Sequence, residues 1–306
     1  MKPKRIVDQI TRMAPRGKNI VQVPNYLTPM QFGRYPADNA VTFERWYYNN
    51  WNKSDERDRL YLPIQWTALY CNNGYGNHTI KHSIQKFIDE LDRFKKYYTI
   101  VQYDDGILNN IDHLDIKVCA MSGPRIDFAL PLLCTPHKFN YDQKEIKKIY
   151  KASFVGNLTH AIRAQIINEL SGKEGYYIST QKHGLYEYCK IIAQSKYVLC
   201  PRGYGQSSFR IQEAIDFGAI PIYISDEHIY PYGNVNLTQD ITFEEIQSAT
   251  IDEIIKNEIE PKYNDLAAYY KSSEVKHLFT YEGCKKEILN YLKNEPADNQ
   301  ENNGMQ

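Results

Sequence analysis

Tyr197-Val198-Leu199-Cys200-Pro201-Arg202-Gly203-Tyr204-Gly205-Gln206-Ser207-Ser208-Phe209-Arg210-Ile211-Gln212-Glu213-Ala214 is the stretch whose reading decides the fold. It opens with an apolar run, Tyr197 to Cys200, of the kind that forms a buried strand. The Pro-Arg-Gly-Tyr-Gly that follows cannot continue a strand and favours irregular backbone. Ser207 or Ser208 is then placed to cap a helix running to about Phe217. Gly218 stands where a C′ glycine belongs, and Ala219 to Ser225 reads as a second buried strand. The whole is a βαβ unit with a helix N-terminus facing whatever binds at the loop.

The residues on the loop point to an anion. Helix N-termini present unpaired N–H groups and partial positive charge. Arg202 before the glycines and Arg210 in the first turn add two cations. Arg210 and Glu213 are three apart and share a helix face. A carboxylate just beyond a cationic cradle suits ribose hydroxyls, so the physical reading is a nucleotide-diphosphate site. Two other readings use the same residues. Arg210 and Glu213 fit a solvated ion pair on an ordinary α/β loop. Gly203-Tyr204-Gly205, with Asp226 as the ribose-binding acid, mimics the NAD fingerprint of a dehydrogenase. Against the second, Ser208 occupies the third glycine position, the helix face carries Arg210 and Glu213 where small residues belong, and the unit lies late in the chain.

Cys200-Pro201-Arg202-Gly203, Ser208-Phe209-Arg210, Glu213-Ala214 and Gly218-Ala219-Ile220-Pro221 with Asp226 resemble the C-terminal signature of the exostosin family of glycosyltransferases. Order and spacing match over about thirty positions, which is far more specific than a lone glycine motif. The resemblance implies an α/β GT-B fold: two Rossmann-like lobes with parallel sheets flanked by helices and a donor/acceptor cleft between them. It also implies inverting transfer from a nucleotide sugar, a UDP-sugar being the expected co-substrate, to a saccharide or glycan acceptor. Phe154-Val155-Gly156, followed by Arg163, is similar to a second family signature, and by that likeness Gly156 and Arg163 should flank the diphosphate. The expected donor set is then Gly156, Arg163, Arg202, Gly203, Gly205, Ser207, Ser208, Arg210 and Glu213. The resemblance runs over residues 58–285 and is dense only in the C-terminal half.

Composition sets the bounds. The 306 residues suffice for one large or two ordinary domains. Lys+Arg and Asp+Glu are both 37, so there is no global basic field and no nucleic-acid partner is expected. The 26 tyrosines supply many amphipathic rings, which suit either a sugar-binding cleft or a compositional bias. None of the 6 cysteines forms a CxxC pair, so zinc ribbons and dithiol redox chemistry are not indicated. Met1 to Lys18 is basic without an apolar h-region, and no stretch approaches the roughly 18 apolar residues of a membrane span. The expectation is a soluble, cytoplasmic protein with free thiols and no transmembrane segment. This departs from the family's usual form, a Golgi enzyme anchored by an N-terminal helix.

Along the chain, residues 1–18 read as a basic lead-in, 19–140 as an acceptor lobe and 141–241 as a nucleotide-sugar lobe. Residues 242–293 read as helices packing back on the lobes and 294–306 as a disordered tail. In the first lobe, Asn19 to Val23 is an expected strand. Asp38 to Asn52, with Phe43, Trp46, Tyr47, Tyr48 and Trp51, is either a core helix or an aromatic acceptor surface. A helix is expected from His78 to Phe94, then a strand from Tyr98 to Tyr103 ending in Asp104-Asp105-Gly106. Two further short strands are expected at Val118–Ala120 and Ile126–Pro131, and a linker between lobes at His137–Asp142.

Inverting transfer needs a base for the acceptor hydroxyl and stabilisation of the departing diphosphate. The chain has no DxD triplet for a divalent metal; Asp104-Asp105 are adjacent, and Asp112 and Asp115 are one residue too far apart. Arg163, Arg202 and Arg210 with the helix dipole can take that role, so no metal or other cofactor is expected. Carboxylates at the C-terminal ends of strands face the ligand in α/β sheets. Asp105 is therefore the first candidate base and Asp104 the second, although an Asp before Gly106 also suits a plain turn. His78, His82 and His183 are alternatives. A catalytically silent nucleotide- or carbohydrate-binding protein on the same fold is the second functional reading, opposed by the intact Arg202, Arg210 and Glu213 set.

Overall fold

The computed structural model describes residues 19–29, 41–55, 57–134 and 146–294. The basic lead-in, positions 38–40, the expected linker at His137–Asp142 and positions 295–306 lie outside the described residues.

The first lobe contains α1 (Phe43–Asn50), β1 (Leu60–Tyr61), α2 (Trp66–Asn72), α3 (His78–Asp89), β2 (Lys96–Val101), β3 (Asp115–Ala120) and β4 (Phe128–Ala129). Its sheet has the order β1-β2-β3-β4 and every pair is parallel. The long pair runs from Lys96 opposite Asp115 to Val101 opposite Ala120. Residues 97–101 of β2 are all buried, which is why they read as a continuous apolar run. The expected strand at Asn19–Val23 reduces to one parallel bridge, Ile20 to Tyr61. Strand β1 has only two residues, so it offers little ladder to extend. The expected helix to Phe94 stops at Asp89, and a turn closed by Lys95 N–H on the Asp92 carbonyl leads into β2, leaving Phe94 92% exposed.

Aromatic packing accounts for the tyrosine-rich first lobe. Threonine 42 caps α1 by accepting from the Arg45 N–H. The helix then buries Phe43 and Tyr47 completely. The Tyr47 and Tyr98 hydroxyls are 3.1 Å apart, and Tyr61 stacks on Tyr98 with ring centroids 5.2 Å apart. Of the two readings of the aromatic segment, the core is the one realised; Trp46 and Tyr48 are only half-buried.

A carboxylate lies inside this core. Glu44 is 1% exposed and accepts from Thr67 N–H (3.0 Å), Thr67 Oγ1 (2.7 Å) and Gln102 N–H (2.8 Å). Burial nevertheless outweighs these donors and raises its pKa from 4.5 to about 7.

The second lobe contains β5 (Tyr150–Val155), α4 (Ala161–Leu170), β6 (Tyr176–Ser179), α5 (Leu185–Ala193), β7 (Ser195–Pro201), α6 (Arg210–Asp216), β8 (Ile220–Ser225) and β9 (Gln239–Thr242). Its five strands, all parallel, run β6-β5-β7-β8-β9. The chain leaves β5 to one side for β6 and returns on the other for β7. The C-terminal ends of β5 and β7 therefore border the topological switch point, where open α/β sheets hold their ligands. Helix α6 ends in a Schellman turn, with Ala219 N–H on the Ala214 carbonyl, Gly218 N–H on Ile215 and Gly218 at φ +67°. Pro221 has no N–H to donate, and it lies before β9 joins at Ile222, where β8 has only β7 as a neighbour.

Helices α7 (Phe243–Ser248), α8 (Ile251–Ile254), α9 (Tyr263–Lys271), α10 (Ser273–Leu278) and α11 (Tyr281–Lys293) complete the described chain. Thr242 with Glu245 and Thr250 with Glu253 form capping boxes that start α7 and α8. Helix α11 returns to the first lobe. Lys285 Nζ lies 2.6 Å from the buried Asp55 carboxylate and donates to the Asn50 carbonyl at 2.7 Å. Tyr291 stacks on Phe128 at 4.4 Å.

The raised pKa of Glu44 fixes the sign of a pH effect. The native state favours the protonated acid, so this contribution is fully present below pH 4.5 and is lost as pH rises through about 7. Urea denaturation of Glu44→Gln should give a variant whose stability, relative to wild type, improves by about 3 kcal/mol between acid and mildly alkaline pH. A relative stability that does not change with pH would show that the Thr67 and Gln102 donors keep Glu44 ionised.

Candidate active site between the lobes

The site grows from strand ends. Strands β5 and β7 stop at Val155 and Pro201, and the carbonyls beyond the ladder need other donors. Arginines supply them. Arg210 donates from Nε (3.0 Å) and Nη2 (2.6 Å) to the Val155 carbonyl. Arg163 donates from Nε to the Arg202 carbonyl (2.9 Å), from Nη1 to Asn157 (3.0 Å) and from Nη2 to Pro201 (3.3 Å). Both guanidinium groups also lie over the Phe154 ring, at 5.1 Å for Arg210 and 5.8 Å for Arg163. Burial first, then the Arg210 charge, lowers the Arg163 pKa to about 10, which leaves it cationic at neutral pH.

The glycines are explained by these neighbours. A Cβ on Gly156 would collide with the Arg210 guanidinium, and one on Gly203 would come within 3.0 Å of Arg163 Nη2. The Gly156 N–H is already bonded to the Ser179 carbonyl. Gly156 therefore admits Arg210 and does not offer its own amide. Arg163, expected to flank a diphosphate, adjoins the loop but has three of its donors on carbonyls, so it contributes charge and holds the loop's shape.

Arg202 pairs through Nη1 with the Asp226 carboxylate and donates from Nη2 to the Tyr204 carbonyl at 3.2 Å. Its Nε is buried without a hydrogen-bond partner, the kind of orphan donor that an anion in the site would satisfy. Burial pushes the Asp226 carboxyl up, but the hydrogen bond and charge of Arg202 bring it below its usual range. Engaged in this way, Asp226 does not stand free as a ribose-binding acid. The serines depart from expectation. Helix α6 starts at Arg210 with Phe209 in the cap position and no side-chain cap, while Ser208 Oγ is buried without a partner and Ser207 is buried beside it. Phe209 already has helical dihedrals, and this shifts the cap position past both serines. Glu213 is buried and accepts a 2.5 Å hydrogen bond from the Tyr188 hydroxyl. Arg210 and Glu213 thus each have a partner from another element, Val155 and Tyr188, and the reading as a simple solvated pair does not describe them.

The first lobe meets this loop through the turn after β2. Gly106 N–H bonds to the Tyr103 carbonyl at 2.9 Å, and Gly106 has φ +69°, which leaves Asp104 and Asp105 at the turn's tip. Asp104 faces Gly205 so closely that a Cβ there would overlap its carboxylate. Burial, then the neighbouring Asp105 charge, raises the Asp104 pKa to about 6 against the lowering effect of Arg202. Asp105 instead accepts a long 3.4 Å contact from the hydroxyl of Tyr204, which is 70% exposed. His78 and His82 stack on each other on the exposed face of α3, and His183 contacts Ser179 and Tyr177. Neither position favours a base acting opposite the glycine loop.

Two glutamines that sequence reading passed over join the lobes. Gln206 accepts from Ser122 Oγ (2.9 Å) and Gly123 N–H (3.2 Å) and donates to Glu227 (2.9 Å). Gln212 makes a two-way bond to the Cys134 backbone, at 2.7 and 3.1 Å. Ser122 and Gly123 follow β3, so the rule that ligands gather at strand C-termini could have found them; an amide inside a helix carries no such signal. Among the described residues, no group of three or more His, Cys, Asp or Glu side chains is placed to hold a metal ion.

Two parallel sheets flanked by helices, meeting where the Asp104 turn and Ser122 reach the glycine loop, define a two-lobe α/β protein. Residues 106–242 match the Exostosin GT47 domain, so the exostosin likeness is shown over that segment, which includes the whole glycine loop. A probable glycosyltransferase of Arabidopsis thaliana is 27% identical over 154 residues, 49% of this chain and 30% of that protein. The chain thus spans less than a third of the length of this curated relative. The crystal structure of a GtfA/B complex aligns with a TM-score of 0.38 at 12% identity, over 76% of this chain and 52% of that one. The pneumococcal O-GlcNAc transferase GtfA, solved with UDP and GlcNAc, aligns with a TM-score of 0.35 at 12% identity, over 79% and 50%. Such scores assign neither residues nor ligands. No helix among the described residues is long and apolar enough to cross a membrane.

Gly156→Ala should force Arg210 off the Val155 carbonyl. The expected loss is about 1–3 kcal/mol, the range for an unsatisfied buried polar group, read from denaturant midpoints. An unchanged midpoint would mean that Arg210 finds an equivalent partner.

Proposed function

We propose that this chain is a glycosyltransferase that moves a sugar from a UDP-sugar to a hydroxyl of a saccharide acceptor with inversion at the anomeric carbon. One observation carries the reading: Asp104, with a pKa raised to about 6, stands directly against the cation-bearing glycine loop. A carboxylate poised near neutral pH is the kind of base such a transfer needs.

The diphosphate is taken by the loop. The orphan Nε of Arg202, the buried Ser208 hydroxyl and the charges of Arg210 and Arg163 face the developing negative charge. Glu213, held by Tyr188, is positioned for the ribose hydroxyls. In the transfer, the acceptor oxygen attacks the anomeric carbon from the face opposite the leaving group. The bond to the diphosphate oxygen breaks with its electron pair, and the acceptor proton passes to Asp104. Asp104 takes precedence over Asp105 because it adjoins Gly205, whereas Asp105 adjoins the exposed Tyr204. Fixed arginines supply the charge that a metal supplies in DxD transferases, so the transfer is proposed to be metal-independent. A rate abolished by a chelator and restored by manganese would overturn that part.

Calorimetry with UDP, GDP and NAD, repeated on Arg210→Ala, tests the donor class. UDP binding lost in the variant is expected, GDP binding alone would change the donor, and NAD binding would restore the dehydrogenase reading. Asp104→Asn should keep UDP affinity and lower kcat by about 10²- to 10⁴-fold. The base works ionised, so wild-type kcat/KM should rise with pH through about 6. Unchanged turnover in Asp104→Asn would remove Asp104 from the mechanism; UDP binding by a wild type that transfers no sugar would favour the silent binder.

A further inference from the structure

A cationic cavity lies at the far end of the second lobe. It has a volume of about 330 Å³ and is lined by Ile146, Lys148, Ala193, Phe217, Gly218, Lys271 and Lys276. These residues come from the segment before β5, the ends of α5, α6 and α9, and from α10. They all sit where the strands of the second sheet begin. The glycine loop sits where they end, about 20 Å away for strands of six residues. The two sites share no residue.

The charges in this cavity are unbalanced. Among the described residues, three lysines line it and no acidic residue does. Lys148 Nζ donates to the Gly218 carbonyl at 2.8 Å, which satisfies one of its three hydrogens. Among the described residues, the ammonium groups of Lys271 and Lys276 have neither a carboxylate nor a carbonyl within bonding distance. Burial, then the neighbouring Lys271 charge, lowers the Lys148 pKa to about 8, so these two ammonium groups repel each other. Lysines beside helix C-termini complement the dipole, and that would account for Lys148 on Gly218. It does not account for Lys271 and Lys276, which line the same cavity. The apolar wall of Ile146, Ala193 and Phe217 strengthens their field on anything bound there.

We infer that this cavity binds a small phosphate-class oxyanion, separate from any nucleotide in the cleft. Three lysines that line one cavity from different elements suit a compact group with several acceptor oxygens. The volume leaves room for a phosphate ester as well as for the bare ion. An occupant would join α9 and α10 to the start of β5 and thereby brace the lobe at the edge opposite the cleft.

Pyrophosphate titrated by calorimetry into wild type, Lys271→Met and Lys148→Met, each with UDP in excess to fill the glycine loop, tests the assignment. Wild type should still bind under these conditions, and each lysine variant should lose at least about tenfold in affinity, the value of one charge-assisted hydrogen bond. Lys271 is exposed, so its variant is informative even if Lys148→Met fails to fold. A hexose phosphate run in parallel identifies the source, tighter binding pointing to the ester and weaker binding to the free anion. Two results overturn the inference: binding that excess UDP removes and both lysine variants keep, which places the anion at the glycine loop, and no binding by wild type at millimolar concentration.

Discussion

The bond between a guanidinium and a carbonyl at a strand end is the interaction on which the candidate site depends. A parallel sheet that stops leaves carbonyls pointing into the crevice with no ladder partner. Here Val155, Asn157, Pro201 and Arg202 are in that position, and Arg163 and Arg210 take all four. Each arginine thereby does two things: it satisfies backbone that would otherwise be unpaired, and it fixes positive charge at the switch point of the sheet. The side chains are ordered before any ligand arrives, so little conformational freedom remains to be lost on binding. The glycines follow from the same requirement, since Gly156 and Gly203 leave the space that the two side chains occupy.

Much of this was legible in the chain, for identifiable reasons. The apolar run at Tyr197–Cys200, the glycine loop and Gly218 marked a strand, a loop and a helix end because each has a local cause in burial or backbone freedom. The same logic failed where partners are distant. Nothing near Asn19–Val23 announces that the neighbouring strand is only two residues long. Ser207 and Ser208 have the right chemistry for a cap, but Phe209 begins the helical backbone before either can act. Asp104 and Asp105 are equivalent as letters; only the approach of Gly205 from the other lobe separates them. Gln206 and Gln212 were invisible because a glutamine in a loop or helix is ordinarily solvated. The tyrosine count left core and cleft open, and the burial of Tyr47, Tyr61 and Tyr98 shows how much of it the first lobe's core consumes.

Around the glycine loop the lobes meet through polar contacts, and beside these one continuous apolar cluster runs from Phe43, Tyr98 and Leu133 of the first lobe to Phe154 and Ile211 of the second and Tyr281 of α11. Gln212 holds the Cys134 backbone, Gln206 holds Ser122 and Gly123, and α11 fastens the far side through Lys285 and Tyr291. Hydrogen bonds of this kind are directional and individually modest in net strength. They define a register between the lobes.

Gln206 divides one amide between two lobes, and this has an evolutionary consequence. A substitution at Ser122, Gly123 or Asp104 on one side and a substitution at Gly205, Gln206 or Glu227 on the other alter the same gap. Their effects are therefore epistatic, because residues that share partners do not contribute additively. A change to one face of this contact therefore calls for a matching change on the other.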